Sequence, residues 1–487
     1  MMAEALLGVD LGTSGVKALV VALDGAVLGE AVVEYPVRRP APGAAEGDPE
    51  EWWRATATAV RSAVSRAGPG TRVLGVGLAG QMHGVVLTGP GGRPTRPAVL
   101  WPDQRALSVL DRWNELPTSL RVRLANPVVP GMAGPLVDWL TTVEPDAVAA
   151  AEWVLSPKDW LRLRMVGRAA TDPSDASATL LWDIPADRWC EAVLRAQDLR
   201  EDLLPLVSRS AEIAGELGAE VADELGLRAG TPVAAGAADT AAGLLATGPA
   251  PGEVQLTVGT GAQLVRLVDD TSPASEDAVG AGRPVVHRYR RAEDTGWYWM
   301  AAVQNAGLAL DWVRAVVRAD REELADAARH GSSGGVLFVP HLTGERTPLV
   351  DPTATASLRG LRLDHDRRTV LTAAIEGVAF AVRHAAGELP GPAPDALRLT
   401  GGGLTEPAVR QLVADVLGVP LRPVEVRSAA AVGAAHLAAG ALGLPSPPVA
   451  ESVGETVLPG PRAEELAEGF ARYREAVEPP DEDDHHH

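Results

Sequence analysis

One cysteine, Cys190, stands in a chain of 487 residues. An intrachain disulfide framework is therefore excluded, and the composition points to a reducing, cytoplasmic setting. Lysine is scarce, and positive charge is in deficit: 44 basic against 64 acidic residues give a net charge of -20. Such a surface disfavours nucleic acid or an anionic membrane as a partner and leaves phosphate to a local pocket. No N-terminal apolar run follows a basic region, and no uninterrupted apolar stretch reaches about 18 residues, which predicts a soluble, intracellular protein. Two nucleotide signatures are missing as well. There is no G-x-x-x-x-G-K-[ST] sequence and no G-x-G-x-x-G opening a helix, so the common phosphate-loop and dinucleotide folds are not indicated.

With 46% hydrophobic residues the chain can bury a large core, and its length predicts two to four domains. The opening LLGVDLGTSGVKALVVALDGAVLGEAVVEYPV alternates apolar runs with turn signals at Gly12-Thr13-Ser14-Gly15 and Asp24-Gly25, the pattern of a three-stranded antiparallel meander. Asp48 then caps a helix with Pro49 at its first position, and Val73 to Gln81 reads as a buried strand. The order recurs after residue 250: EVQLTVGTGAQLVRLVDD predicts strand, Gly-Thr-Gly turn and strand. Later come the helix DRRTVLTAAIEGVAFAVRHAAGEL, the strand LRLT, the turn Gly401-Gly402-Gly403 and a helix starting near Glu406-Pro407. Two related α/β halves are expected, meeting near Thr247–Gly252. The segment from Leu110 to Gly226 fits neither half and reads as an insertion carrying substrate-side surface. The tail DEDDHHH at 481–487 reads as a disordered acidic end with a tag remnant.

Three glycine-bearing turns are candidates for phosphate. In GVDLGTSGVKAL the glycines let backbone amides converge on an anion, Thr13 and Ser14 add hydroxyl donors, Lys17 adds charge, and Asp10 can hold a phosphate-bound Mg²⁺. Gly259, Thr260 and Gly261 repeat the device, and Gly402 and Gly403 permit close approach of a ring or phosphate. A single turn of this kind is an ordinary hairpin; two facing turns can clamp a polyphosphate. One further residue stands out. In TPVAAGAADTAAGLLATG, Thr231 to Gly248, Asp239 is the single charge among small and aliphatic residues. It suits a helix N-cap and also a general base reached by substrate across a wall of small side chains.

Taken with GLAGQMHGVVL, RPAVLWPDQRA, FVPHLTGERTPLVDP, AIEGVAF and LTGGGLTEPAVRQLVADVLGVPL, these motifs make the chain resemble the FGGY carbohydrate kinases, and through GQMHG their xylulokinase branch. The resemblance implies an α/β architecture of two ribonuclease H-like (actin-like ATPase) domains flanking a deep cleft. Residues 1–247 would form the sugar-binding side, 252–445 the ATP-binding side and 446–487 an extension. It implies ATP- and Mg²⁺-dependent phosphorylation of a ketose, D-xylulose at its C5 hydroxyl, with another ketose or polyol, or a non-catalytic nucleotide-gated sugar binder, as alternatives. Asp239 would be the base and Asp10 the metal residue. Met82, His83, Trp101 and Asp103 would contact the sugar; Thr13, Ser14, Lys17, Gly259, Thr260, Gly261, Gly402, Gly403 and Thr405 would meet ATP. The implied partners are the sugar and ATP, with no nucleic acid and no membrane, and a homodimer is left open. Thr355-Ala356 and Leu404-Thr405-Glu406 depart from the family pattern. Glu345 and Arg346 read as a buried or interdomain ion pair.

Overall fold

The computed structural model describes residues 3–268, 284–293 and 295–478; the 481–487 tail lies outside them. The first half is built on a seven-stranded sheet. Strands β1 (Ala3–Leu11), β2 (Gly15–Ala22) and β3 (Val27–Glu34) form the expected antiparallel meander. Helix α1 (Pro49–Ala67) follows, with Asp48 accepting from the Glu50 amide as its N-cap and Pro49 at the first position. Strand β4 (Thr71–Gly80) then lies parallel to β1 on the side away from β2. Apolar side chains load the central strand: Leu6, Leu7, Val9 and Leu11 are fully buried, each aliphatic side chain contributing roughly 1.5–3 kcal/mol.

The Leu110–Gly226 segment is not a free-standing insertion. Its helix α2 (Pro157–Val166) packs against β4, and its strand β5 (Ile213–Glu216) pairs with β6 (Pro232–Ala234) to complete the sheet order β5-β6-β4-β1-β2-β3. These strands are four and three residues long, too short for a periodic signal to show in sequence. Two residues, Ala237 and Ala238, pair in parallel with Ala79 and Gly80 of β4 and lead into helix α3 (Asp239–Thr247).

The second half repeats the plan. Strands β7 (Val254–Val258) and β8 (Ala262–Val268) form a hairpin, β9 (His287–Arg290) and β10 (Trp297–Val303) extend it, and helix α4 (Gly307–Val317) follows. After helix α5 (Arg367–Gly387), β11 (Leu397–Thr400) joins β7 in parallel. Helix α6 (Pro407–Leu417) and strand β12 (Leu421–Val426) complete the order β9-β10-β8-β7-β11-β12. By length and composition α5 could cross a membrane, but 78% of its apolar window is buried inside this domain. Residues Ala463–Val477 of the C-terminal extension form a helix packed against α5 and α6.

Helix α7 (Ala429–Ala441) follows β12 in sequence but packs on β1 and β4 of the first sheet, and against α3. Glycines allow the approach. A Cβ on Gly8 would lie 1.8 Å from the Ala431 carbonyl oxygen, and one on Gly77 would lie 1.7 Å from that of Ala434. Where α7 crosses α3, a Cβ on Gly433 would sit 1.8 Å from the Ala242 carbonyl oxygen. The small residues after Asp239 therefore serve this close crossing, with Ala241 and Ala242 buried. Gly433→Ala is expected to cost about 1–3 kcal/mol by overpacking. A thermal melt would read this as a lowered Tm, and an unchanged Tm would count against so tight a crossing.

Candidate active site

The β1–β2 hairpin presents the first candidate turn. Gly12 N–H donates to the Gly15 carbonyl at 2.9 Å, and the Tyr35 hydroxyl braces the Gly12 carbonyl at 2.6 Å. Asp10 and Lys17 face each other across the ladder. Burial raises the Asp10 carboxyl above its ordinary value while Lys17 draws it down, and Asp10 Oδ1 is buried without a hydrogen-bond partner.

Asp239 is the first residue of α3, one position inside the cap, which is Ala238. Its Oδ1 accepts from the Thr240 amide at 2.6 Å and from the Thr240 hydroxyl at 3.3 Å. Burial, reinforced by the negative charge of Asp10, pushes this carboxyl up to about 7. The structure therefore brings Asp10 and Asp239 within electrostatic reach of each other.

That shift has a sign for stability. A carboxyl whose pKa is higher folded than unfolded binds more protons in the native state between the two values, so stability falls as pH rises from about 4 to 7. Asp239→Asn, which keeps the acceptor for Thr240 and removes the charge, is expected to raise the Tm of the ligand-free protein at pH 8 and to change it little near pH 3. Equal melting at pH 8 would contradict the assignment.

The four proposed sugar residues differ in their surroundings. His83 adopts φ 68°, uncommon for a residue with a side chain, and its Nδ1 lies 2.8 Å from the Ala178 carbonyl, which fixes Nδ1 as the protonated nitrogen and leaves Nε2 as an acceptor. Burial and the neighbouring Arg346 lower its pKa to about 3, so the ring is neutral. Trp101 donates its indole N–H to Thr13 Oγ1 at 3.0 Å and has the Arg346 guanidinium 5.4 Å from its ring centre, tying it to the first turn. Met82 is buried in the apolar core. Asp103 is occupied otherwise than expected. It is fully buried, and its oxygens accept from the Ala45 amide at 2.8 Å, the Arg105 amide at 2.9 Å and the Arg105 guanidinium at 2.7 Å. Such a carboxylate anchors its loop and has little capacity left for a hydroxyl.

The other two turns meet in the second half. Gly259, Thr260, Gly402, Gly403 and Thr405 line one cavity of about 420 Å³, together with Leu308, Asp311 and Arg314 of α4. Gly401 at φ 87° turns the chain after β11, and the Gly403 amide donates to the Val258 carbonyl at 2.9 Å. Gly261 sits behind, where a Cβ would meet the Val303 carbonyl oxygen at 2.6 Å. Ser14 and Lys17 are exposed on the first turn and its following strand.

Glu345 and Arg346 do not form the expected ion pair. Glu345 Oε1 accepts the backbone amides of Gln304 at 2.7 Å and Arg346 at 2.8 Å, and burial raises its pKa to about 7. The Arg346 guanidinium has no carboxylate within salt-bridge distance among the described residues, and it faces Trp101 and lowers His83 and His287. Composition gave no sign of this role, because adjacency in sequence suggested the pair.

Comparison with known proteins completes the picture. The model of the N-terminal domain of the FGGY family of carbohydrate kinases matches residues 5–246, and that of the C-terminal domain matches 255–442. The chain belongs to the FGGY family of carbohydrate kinases. As an FGGY kinase it is an ATP-dependent sugar kinase, and its two repeated α/β domains are the family's fold. It is 34% identical to the xylulose kinase of Escherichia coli over 425 residues, 85% of each chain. It is also 34% identical to that of Streptomyces coelicolor over 450 residues, 90% of this chain and 88% of the relative. A solved xyloylose kinase from Brucella ovis superposes with a TM-score of 0.84 at 33% identity, covering 97% of this chain and 98% of that one. A gluconate kinase from Lactobacillus acidophilus shares the fold at a TM-score of 0.87 and 22% identity, covering 98% of each chain. The FGGY fold alone therefore leaves the sugar open.

Proposed function

We propose that this FGGY kinase transfers the γ-phosphoryl group of ATP to the terminal C5 hydroxyl of D-xylulose, giving D-xylulose 5-phosphate, with Asp239 as general base. The carrying observation is the Asp239 carboxyl itself: it starts α3, is held in place by Thr240, and is pushed to about 7, near the pH at which a base is most effective. The xylulose kinases of Escherichia coli and Streptomyces coelicolor, alike over most of their length, supply the sugar.

In this reading Asp239 accepts the proton of the C5 hydroxyl as its oxygen forms a bond to the γ-phosphorus, and the bond to the β-phosphate oxygen breaks so that ADP leaves with the electron pair. Residues 1–247 form the sugar side, where His83 Nε2 accepts from a sugar hydroxyl and Trp101 offers a ring face. Residues 252–445 form the nucleotide side, with ATP in the cavity of Gly259, Thr260, Gly402, Gly403 and Thr405. Thr13, Ser14 and Lys17 approach its phosphates from the first domain. The unpartnered, buried Oδ1 of Asp10 beside Asp239 suits a divalent cation, since two carboxylates at close range favour a positive charge between them. Mg²⁺ held by Asp10 would neutralise phosphate charge. The enzyme acts on small molecules in the cytoplasm.

A sugar panel in a coupled ADP-release assay tests the substrate. D-xylulose is expected to give the highest kcat/KM, and a higher value for gluconate, a polyol or another ketose would replace it.

A further inference from the structure

The chain's 44 basic residues include two lysines, Lys17 and Lys158. Lys17 belongs to the first turn. Lys158, at the start of α2, is fully buried, and three carboxylates converge on its Nζ: Asp159 at 2.5 Å, Asp172 at 3.1 Å and Asp175 at 3.2 Å. A compact ammonium with three tetrahedral donors suits that arrangement, where a planar guanidinium would not. Arg162 joins through Asp159 at 2.9 Å. The carboxyls respond differently. Burial raises Asp175 well above its ordinary range, whereas Lys158 and Arg162 hold Asp159 below its own despite burial. Lys158 and Arg162 thus set two cations against three buried carboxyl groups, a pairing without which the cluster would be costly to bury.

From this cluster a chain of hydrogen bonds leads to Asp239. Asp172 Oδ2 accepts the Ser174 hydroxyl proton at 2.6 Å, and the Ser174 oxygen in turn accepts the Ala238 amide at 2.9 Å, all of it buried. Arg162 holds the Ala235 carbonyl at 2.5 Å, and the Gly236 amide donates to the Ser210 carbonyl at 3.0 Å. The peptide that delivers Asp239 is thereby held by the Ser174 and Arg162 side chains, by the Ser210 carbonyl and by pairing with β4. The turn that begins at Ser174 ends at Ala178, whose carbonyl fixes the His83 ring at 2.8 Å. Between them the Ser177 hydroxyl accepts the Arg290 amide of β9 at 2.9 Å, joining the turn to the second domain.

We propose that Ser174, set by Asp172 and Lys158, is a positioning residue for phosphoryl transfer: it holds the Ala238 peptide so that Asp239 reaches the sugar hydroxyl. This inference rests on Asp239 being the base. A displacement of about 1 Å at a reacting group costs up to about 10²-fold in rate, so Ser174→Ala is expected to lower kcat roughly 10- to 100-fold with the KM for ATP within about twofold.

A double-mutant cycle separates positioning from general structural support. If Ser174 acts through Asp239, Ser174→Ala added to Asp239→Asn gives no further loss in kcat. An equal loss in both backgrounds, or wild-type kcat for Ser174→Ala alone, would overturn the proposal. Ser174→Thr keeps the oxygen and is expected to recover most of kcat; no recovery alongside a native melting curve would also overturn it. Failure of the base assignment is distinguishable, because Asp239→Asn alone would then keep near wild-type kcat.

Discussion

Replacing Asp239 with asparagine is expected to lower kcat by roughly 10²–10⁴-fold, the range that a positioned general base contributes, and to leave the Kd for ATP nearly unchanged. The amide keeps the acceptor for the Thr240 amide, so the start of α3 is preserved. What it loses is the capacity to take a proton. The nucleotide cavity is lined by residues of the second domain, Gly259 and Gly402 among them, and none of its lining belongs to α3. Steady-state kinetics with the preferred sugar and calorimetry with ATP would separate the two effects. Near wild-type kcat would remove Asp239 from the proton-transfer role.

The second large effect is expected at Asp10. This carboxylate ends the first strand beside the turn that meets the phosphates, and a bare negative charge there would repel them unless a cation lay between. Asp10→Ala is expected to lower kcat by about 10²-fold or more, as the loss of a group stabilising transition-state charge does. It should also weaken the dependence of rate on Mg²⁺ and leave sugar binding without nucleotide little changed. Asp10 raises the Asp239 pKa as well, so the variant should move the base toward the ordinary carboxylate range. If tuning Asp239 were its whole task, the metal titration would be unchanged while the acid limb of the pH profile moved. A Mg²⁺ titration beside sugar calorimetry decides between them.

Local signals in the sequence carried far. The meander, the cap at Asp48 and the Gly-Thr-Gly hairpin depend on neighbours within a few residues, and each forms as read. The contacts that were not legible join distant segments. Asp103 looked available until Arg105 and the Ala45 amide filled its oxygens. The small residues after Asp239 looked like room for a ligand, but they meet α7, nearly two hundred residues later. Lys158, the turn carrying Asp172 and Ser174, and Ala238 lie on three separate pieces of the chain. What joins them is a set of buried polar contacts and the pairing of Ala238 with Gly80 of β4, neither of which a local pattern announces.

The most direct test of the account follows phosphorus during turnover with D-xylulose, ATP and Mg²⁺. Phosphorus-31 NMR is expected to show a sugar phosphomonoester growing in step with ADP, split by the two C5 protons, and absent when sugar is omitted. Release of inorganic phosphate at a rate indifferent to the sugar, with no phosphomonoester, would contradict it.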